Sequence, residues 1–373
     1  MMAVGKRRVA RSVGFALVEL LIGAAFVNPN ALGASHDQTS EHWPRARTCD
    51  VLSSDRSAAA VAAGKVVSGS HGPDNSQRWH LAADDDVVAR KDSPYVPSGY
   101  VKVFGDEFTQ AQLDVSRWWT RYIYADGTLD FLNDEQQRYR ENENHVMTGQ
   151  SLILVAKKIG GDGEARYESG MLRSKTTFKY GYFEARIKVP GGLGVRPAFW
   201  LNSARRSGDG KISWPPEIDI MELANNGAED TMDMLHTSVA YHSAQKQKLI
   251  FRDPDFNTDW NYWRAPHNLS GDFHTFAALW DIDDTVSTYF DGRLISKVGY
   301  KWVYDDGTRA GYAHVLLDLA IGGANWAGRH GIDDAAFPQG LEVQYVRVYQ
   351  KAGHEATGTD TIGHDLCRPE GGC

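Results

Sequence analysis

Three acidic residues alternate with apolar residues in the segment WPPEIDIMEL, which spans residues 214–223. Glu217 and Asp219 are two residues apart, so on a β-strand their side chains point to the same face. Glu222 lies five residues after Glu217, an odd offset that sends its side chain to the opposite face of a regular strand. A β-bulge near residues 220–221 would return Glu222 to the face of the other two acids.

The chemistry of such a group of carboxyls depends on how they share charge. Three carboxylates on one face repel each other unless a reaction or a bound cation requires them. Retaining glycoside hydrolysis requires a carboxylate nucleophile and a protonated acid about 5–5.5 Å apart. Asp219 would hydrogen-bond Glu217, and the crowding would raise the pKa of one carboxyl toward the operating pH. A solvated, inert strand and a cation site are the alternatives, and the alternation alone does not separate them.

The elements that must position these acids are strands. Short apolar or alternating runs with β-branched and aromatic residues predict strands at 151–156, 182–189, 275–280, 286–290, 315–320 and 341–349. The pair Asp291-Gly292 predicts a β-hairpin between the runs VSTYF and RLISKV. Long helical periodicity is scarce. About 250 residues of this pattern predict one all-β domain, an antiparallel sandwich or jelly roll, rather than two domains.

Composition narrows the class of protein. The 373 residues are 42% hydrophobic and 24% charged, which is typical of a globular chain. With 40 Lys and Arg against 48 Asp and Glu, the formal charge of −8 lacks the electrostatic footprint of a nucleic-acid binder. Only three cysteines exclude a disulfide-dense scaffold, and the 11 tryptophans favour a β-rich protein with stacking surfaces.

The two ends of the chain differ from its middle. A basic start, an apolar run at 15–27 and small residues after it predict that 1–34 is a signal peptide. That run is shorter than the roughly 20 residues of a membrane span, so we expect a secreted or periplasmic protein without a membrane segment. Residues 35–97 and 352–373 have little periodicity, which predicts a linker or loosely ordered extension and a C-terminal tail.

The cysteines lie in these end segments. In an oxidising compartment Cys49 and Cys367 could pair, which would leave Cys373 free. Three free thiols are the alternative.

The acid segment EIDIME resembles the bulged Glu-x-Asp-x-x-Glu motif of glycoside hydrolase family 16. The resemblance covers about residues 100–350, through VFGDEFTQAQLD, NDEQQRYRENENHV, YESGMLRSKTTFKYGYFEARIKVP, RPAFWL, FHTFAALW, YFDG, LAIGGANWAG and FPQGLEVQYVRVYQ. It implies a catalytic domain at 98–351 with a β-jelly-roll sandwich of two antiparallel sheets and a carbohydrate cleft across the concave sheet.

The resemblance also implies roles for single residues. Glu217 matches the nucleophile, Asp219 the acid that assists it, and Glu222 the general acid/base. Trp200 and Trp326 match aromatic positions that line the cleft, where indole faces stack on sugar rings. Core packing is the alternative for each tryptophan. The expected substrate-binding residues are Asn133, Glu135, Arg196, Trp200, Trp214, His236 and Trp326.

Two positions depart from the family pattern. Arg196 stands where relatives often have an aromatic residue, so it favours either an acidic substituent on the polysaccharide or an ion pair with one of the many acids. Gln344 replaces the aspartate that in many relatives binds a structural calcium ion. A neutral amide is a weaker ligand for a hard cation. We therefore expect no required cofactor and no metal ligand among the site residues, and a structural calcium ion is the alternative that Gln344 disfavours.

The first hypothesis is a secreted, monomeric, retaining endo-β-glycosidase that hydrolyses a β-1,3 or mixed β-1,3/1,4-glucan. An agarase-like or carrageenase-like hydrolase of a galactan would use the same acid motif. A transglycosylase, which transfers the sugar to another sugar instead of water, is a second alternative. A non-catalytic carbohydrate-binding protein is the third, although it would need no intact set of acids.

Overall fold

The computed structural model describes residues 92–122, 130–140, 143–160, 166–204, 214–240 and 248–359. The predicted signal peptide, most of the extension at 35–97 and all three cysteines lie outside these residues. Nearly all regular structure in the described residues is β, with 21 strands and two 3-10 helices. None of their helices has the length and apolarity that crossing a bilayer requires.

The strands follow one another along the chain in this order. They are β1 (Tyr100–Asp106), β2 (Trp118–Trp119), β3 (Gln137–Tyr139), β4 (His145–Met147), β5 (Leu152–Lys158), β6 (Tyr167–Ser169), β7 (Met171–Ser174), β8 (Thr176–Phe178), β9 (Gly181–Lys188), β10 (Val195–Ser203), β11 (Glu217–Glu222), β12 (Met234–Ala240), β13 (Lys248–Arg252), β14 (Phe256–Asn257), β15 (Tyr262–Arg264), β16 (His274–Asp281), β17 (Thr285–Phe290), β18 (Arg293–Gly299), β19 (Ala313–Ile321), β20 (Gln339–Lys351) and β21 (Thr357–Thr359). The 3-10 helices are Leu269–Gly271 and Asp334–Ala336.

These strands form two sheets. Sheet 1 has the order β13-β18-β17-β16-β9-β20-β5-β6-β3, with β1 beside β20 and β4 beside β5. Sheet 2 has the order β14-β15-β12-β11-β10-β19-β7-β2, with β8 beside β19 and β21 beside β8. Among the described strands β3 and β6 pair in parallel, and the other pairs are antiparallel. The predicted all-β sandwich of antiparallel sheets is confirmed.

One apolar core joins the inner faces of the two sheets. Leu154 and Phe183 of sheet 1 are fully buried in it together with Phe199 and Leu317 of sheet 2. Because side chains alternate along a strand, the residues on either side of Phe199 point away from this core. Every second side chain of a sheet-2 strand therefore points to the outer face, where the acids of residues 217–222 lie.

The predicted hairpin is confirmed between β17 and β18. Asp291 and Gly292 take φ values of 45° and 79°, the left-handed conformation that a two-residue turn of this kind requires. Glycine has no Cβ to oppose that conformation. The six predicted strands correspond to β5, β9, β16, β17, β19 and β20.

Ordered contacts extend beyond the predicted domain bounds of 98–351. On the N-terminal side, the Ser93 hydroxyl donates a 2.7 Å hydrogen bond to Glu184 in β9. On the C-terminal side, β21 pairs with β8 through residues 357–359. The short polar segments at these two places lack an apolar run, so periodicity did not reveal them; they join the sandwich through hydrogen bonds instead.

Candidate active site

A β-bulge in β11 determines which way its acids point. On the β10 side, Trp200 pairs with Asp219 and Phe199 with Met221, so Ile220 has no opposite residue. Ile220 and Met221 are both buried in the core between the sheets. Two consecutive core residues in one strand are possible only because the bulge interrupts the alternation.

The β12 side of the same strand shows the same irregularity. Asp219 pairs with Ser238, and Glu222 pairs with His236. Three steps along β11 therefore face two steps along β12, and Glu222 returns to the face that carries Asp219 and Glu217. The bulge predicted from the spacing of the acids is confirmed.

Glu217 is held at the start of β11 by groups from three other segments. The Asn202 amide donates to its carboxyl at 3.3 Å, and the Trp214 side chain donates a second hydrogen bond. The Tyr300 hydroxyl accepts from the Glu217 backbone N–H at 3.2 Å and donates to the Ala240 carbonyl at 2.7 Å. Burial and the nearby Glu222 raise the pKa of Glu217 to about 7, against the two hydrogen bonds.

The other two acids share this crowded environment. Ser238 donates a hydrogen bond to Asp219, whose pKa is raised by burial and by the charge of Glu217. Burial and the charge of Asp219 raise the pKa of Glu222 to about 8, and the Arg196 guanidinium opposes this increase. The three carboxyls therefore do not all ionise at neutral pH, and a proton is available in the group for acid catalysis.

Arg196 in β10 lies between two acids. It forms an ion pair with Glu135, and its Nη1 is 3.8 Å from the Glu222 carboxyl. Its guanidinium also lies over the Trp326 ring, 5.4 Å from the ring centroid. With a side chain only 15% exposed, Arg196 is part of the site rather than a surface residue.

Glu135 is fixed on the other side of this ion pair. It accepts hydrogen bonds from the Leu132 backbone N–H at 3.0 Å and from the Gln137 amide at 2.7 Å. Asn133, in the same segment, is exposed and has a positive φ of 53°. The structure thus brings Glu135 to the acids through Arg196 and leaves Asn133 at the surface beside it.

Trp200 is more deeply buried than a flat stacking platform would be. The residue is 8% exposed, and it packs with Tyr122 and Tyr139 in a small cluster on the outer face of sheet 2. Its indole N–H donates to the Asp318 carboxyl at 2.7 Å, and the Tyr139 hydroxyl donates to the same carboxyl at 3.2 Å. Burial raises the pKa of Asp318 to about 7. Trp200 therefore lines the site as a side chain fixed by packing and by its hydrogen bond to Asp318.

The remaining predicted residues flank the acids. Trp214 is 45% exposed beside the start of β11, which suits ring stacking. His236 is buried in β12 opposite Glu222, and its ring meets that of Trp326 edge-on at 5.3 Å. Both His236 and Trp326 donate to the carboxyl of Asp230 at 2.9 Å.

Several residues of the site were not predicted from the sequence. Asp318 stands alone among apolar residues in VLLDLA, and this isolated acid was a usable signal. The positions of Asn202, Ser238 and Asp230 depend on cross-strand register and loop path, for which the sequence carries no local signal.

The contacts of Gln344 show whether it could bind a structural calcium ion. The side-chain oxygen of Gln344 accepts a 2.9 Å hydrogen bond from the Arg186 guanidinium. An oxygen committed to a cation in this way does not fit the part of a calcium ligand. In the described residues no cluster of three or more His, Cys, Asp or Glu side chains has metal-binding geometry.

Comparison with known proteins identifies the family of this site. Residues 100–351 match the family model described as "Beta-porphyranase A-D, GH16 domain". The chain belongs to glycoside hydrolase family 16. It is therefore a glycoside hydrolase from a family of endo-β-glycanases, which confirms the resemblance found in the sequence.

Individual relatives carry different names. A "Beta-glucanase" of Rhodothermus marinus is 31% identical over 263 residues, which is 66% of this chain and 84% of the relative. A "Kappa-carrageenase" of Pseudoalteromonas carrageenovora is 30% identical over 203 residues, 50% of this chain and 48% of the relative. The structure of the laminarinase from Rhodothermus marinus is similar with a TM-score of 0.52 and 27% identity, over 67% of this chain and 97% of that one. The chain spans 35%, 42% and 51% of the length of three further curated relatives.

Proposed function

We propose that this family 16 enzyme cleaves internal β-glycosidic bonds with retention of configuration, with Glu217 as nucleophile and Glu222 as general acid/base. The bulge in β11 carries this proposal, because it puts both carboxyls on one face of the sheet, where the charge of Glu222 helps to raise the pKa of Glu217. A regular strand would have separated them by the thickness of the sheet.

The reaction proceeds in two displacements. The Glu217 carboxylate attacks the anomeric carbon while Glu222 gives its proton to the leaving glycosidic oxygen, and the C–O bond breaks. Water then attacks the same carbon, Glu222 takes the proton of that water, and the ester to Glu217 breaks. The product is a hemiacetal with the configuration of the substrate.

The surroundings of the acids suit this division of work. Glu217 receives hydrogen bonds from Asn202 and Trp214, which favour its ionised form. For Glu222, burial and the charge of Asp219 favour the protonated form, with a pKa of about 8. The hydrogen bonds thus suit Glu217 to the part of ionised nucleophile, and the neighbouring charge of Asp219 suits Glu222 to the part of proton donor.

A β-1,3 or mixed β-1,3/1,4-glucan is the substrate that we propose first. The names of the Rhodothermus marinus relatives support it, since the chain spans most of the length of both. The surroundings of Arg196 support it too, because its guanidinium is matched by Glu135 and Glu222 and gives the site little uncompensated positive charge.

A galactan with anionic substituents is the second candidate. The description of the matching family model and the name of the carrageenase relative favour it. Arg196 lies beside Glu222 and would become available to an anionic group if that group displaced one of its carboxylate partners.

A panel of soluble polysaccharides tests the function. Laminarin, mixed-linkage glucan, agar, porphyran and carrageenan are incubated with wild type, Glu217→Gln and Glu222→Gln, and new reducing ends are measured. We expect internal cleavage by wild type and loss of cleavage in both variants, with the β anomer as first product by NMR. An α anomer would overturn the retaining mechanism. Products longer than the substrate without new reducing ends would indicate transglycosylation, and binding without cleavage would indicate a binding protein.

We also propose that the protein is exported, on the basis of the basic and apolar pattern of residues 1–34. N-terminal sequencing of protein recovered outside the cytoplasm should find a mature start near residue 35. An intact N-terminus on protein that stays in the cytoplasm would contradict export.

A further inference from the structure

Asp230, in the loop between β11 and β12, holds two side chains of the site at once. Its Oδ1 accepts a hydrogen bond from His236 Nε2 and its Oδ2 accepts one from Trp326 Nε1, each at 2.9 Å. His236 comes from β12, whereas Trp326 comes from the segment after β19. A single carboxyl therefore links the two regions on one side of Glu222.

The loop keeps this carboxyl in place. The side-chain oxygen of Asn226 accepts from the backbone N–H groups of Ala228 and Asp230, both at 3.0 Å. The backbone N–H of Asn226 donates to the Asp230 carbonyl at 3.2 Å, and Asn226 is 1% exposed. The position of Asp230 is thus set by a buried amide and not by chance contact of an exposed loop.

The linkage has a consequence for the other nitrogen of His236. A carboxylate only accepts hydrogen bonds, so the neutral imidazole carries its hydrogen on Nε2. Its Nδ1 is then an acceptor. This atom is buried and has no partner among the described residues, while its residue pairs directly with Glu222 across β11 and β12.

We propose that Asp230 is a positioning residue of this enzyme. It fixes His236 as the Nε2–H tautomer and so holds its ring in place in the strand position opposite Glu222. Through its second oxygen it sets the angle of the Trp326 ring, which meets the His236 ring at 85° and forms the adjoining wall. This inference rests on the proposed role of Glu222.

The substitution Asp230→Asn tests the linkage. The new amide can accept from His236 with its oxygen, but its NH₂ group then faces the indole N–H of Trp326, donor against donor. We expect kcat/KM to fall about 10- to 100-fold, the loss that results when site groups shift by about 1 Å. Asp233→Asn is the matched control, since Asp233 lies three residues away and pairs with Arg264 on the exposed side.

A double variant separates this linkage from general loop stability. Trp326→Phe removes the indole N–H, so Asp230→Asn should cost several-fold less in that background than in wild type. Equal costs in the two backgrounds would overturn the proposed link to Trp326. Thermal unfolding of each variant is measured alongside, and a decrease in melting temperature equal to that of Asp233→Asn is expected.

NMR of protein with ¹⁵N-labelled histidine gives a readout that a purely structural role would not move. We expect wild-type His236, assigned by its loss in His236→Gln, to be the Nε2–H tautomer, with the other tautomer gaining population in Asp230→Asn. An Nδ1–H tautomer in wild type, or kcat/KM of Asp230→Asn within twofold of Asp233→Asn, would overturn the proposal. The role of Glu222 is tested separately, since cleavage by Glu222→Gln would refute that role and leave the tautomer result standing.

Discussion

Two glutamates, one in each sheet, show how the surroundings of a structural acid differ from those of the proposed general acid/base. Glu184 in sheet 1 is completely buried and accepts hydrogen bonds from Ser93 at 2.7 Å, Tyr182 at 3.1 Å and Tyr345 at 2.9 Å. Glu222 in sheet 2 is 18% exposed, and among the described residues the cation within ion-pair distance of it is Arg196, at 3.8 Å.

Burial raises the pKa of both residues, yet the causes that act beside burial differ. Three hydroxyl donors and Arg347 counteract the increase for Glu184. For Glu222 the charge of Asp219 adds to the increase. A raised pKa alone therefore does not mark an active site. An acid that is surrounded by other acids and still has free acceptor positions does.

The first prediction compares the same substitution, Glu to Gln, at the two glutamates. Glu222→Gln should lower kcat by about 10²–10⁴-fold, the usual contribution of general acid/base catalysis, with little loss of stability. Glu184→Gln puts an NH₂ group against hydroxyl donors, so it should cost about 1–3 kcal/mol of unfolding free energy with kcat within about threefold of wild type. Steady-state kinetics and denaturant unfolding measure both. Loss of activity in a fully folded Glu184→Gln variant would contradict a purely structural role for Glu184.

The second prediction concerns the arginines paired with acids in each sheet. Because Arg196 lowers the pKa of Glu222, Arg196→Gln should raise that pKa, and the alkaline limb of the kcat/KM profile should move to higher pH. We expect about a tenfold loss of kcat/KM at neutral pH, since Glu135 also loses its partner.

Arg347→Gln in sheet 1 is the matched control for this prediction. Arg347 forms a two-point ion pair with Glu107 at 2.8 Å and is 1% exposed. Because Glu107 is 30% exposed and can be solvated, loss of this pair should destabilise the protein by about 1–3 kcal/mol without moving the alkaline limb. If the alkaline limb of the kcat/KM profile stays in place in Arg196→Gln, or moves equally in both variants, Arg196 does not control the pKa of Glu222.

The third prediction concerns stability as a function of pH. The pKa values of Glu217 and Glu222 are raised in the folded protein to about 7 and about 8, so the folded state binds more protons than the unfolded state above pH 5. Wild-type stability should therefore fall as pH rises through these values. The variant with both residues changed to Gln should escape this loss and be more stable above pH 8 by about 1–3 kcal/mol. If the unfolding free energies of the two proteins change with pH in the same way, this prediction is wrong.

Much of this arrangement was predictable from the sequence. The alternation of apolar residues gave the strands, and the Asp-Gly pair gave the hairpin at residues 291–292. The five-residue offset from Glu217 to Glu222 showed that a bulge is needed if both acids are to share one face, and the resemblance to the family motif implied that bulge.

The partners of the acids were less predictable for a physical reason. The position of Asp318 relative to Trp200, or of Ser238 relative to Asp219, depends on which strands are neighbours and in which register. The burial of Trp200 depends on Tyr122 and Tyr139, which come from distant segments. Local patterns describe one strand at a time and do not contain this information.

The central claim is that Glu217 forms a covalent bond with the sugar. It is tested by incubating the enzyme with an activated 2-deoxy-2-fluoro glycoside of its preferred substrate and mapping the modified peptide by mass spectrometry. We predict one added glycosyl group on Glu217, in the peptide that contains residues 217–222, and none in Glu217→Gln. A glycosyl group on Asp219 or Glu222, or turnover of the substrate with inversion and no adduct, would contradict the account.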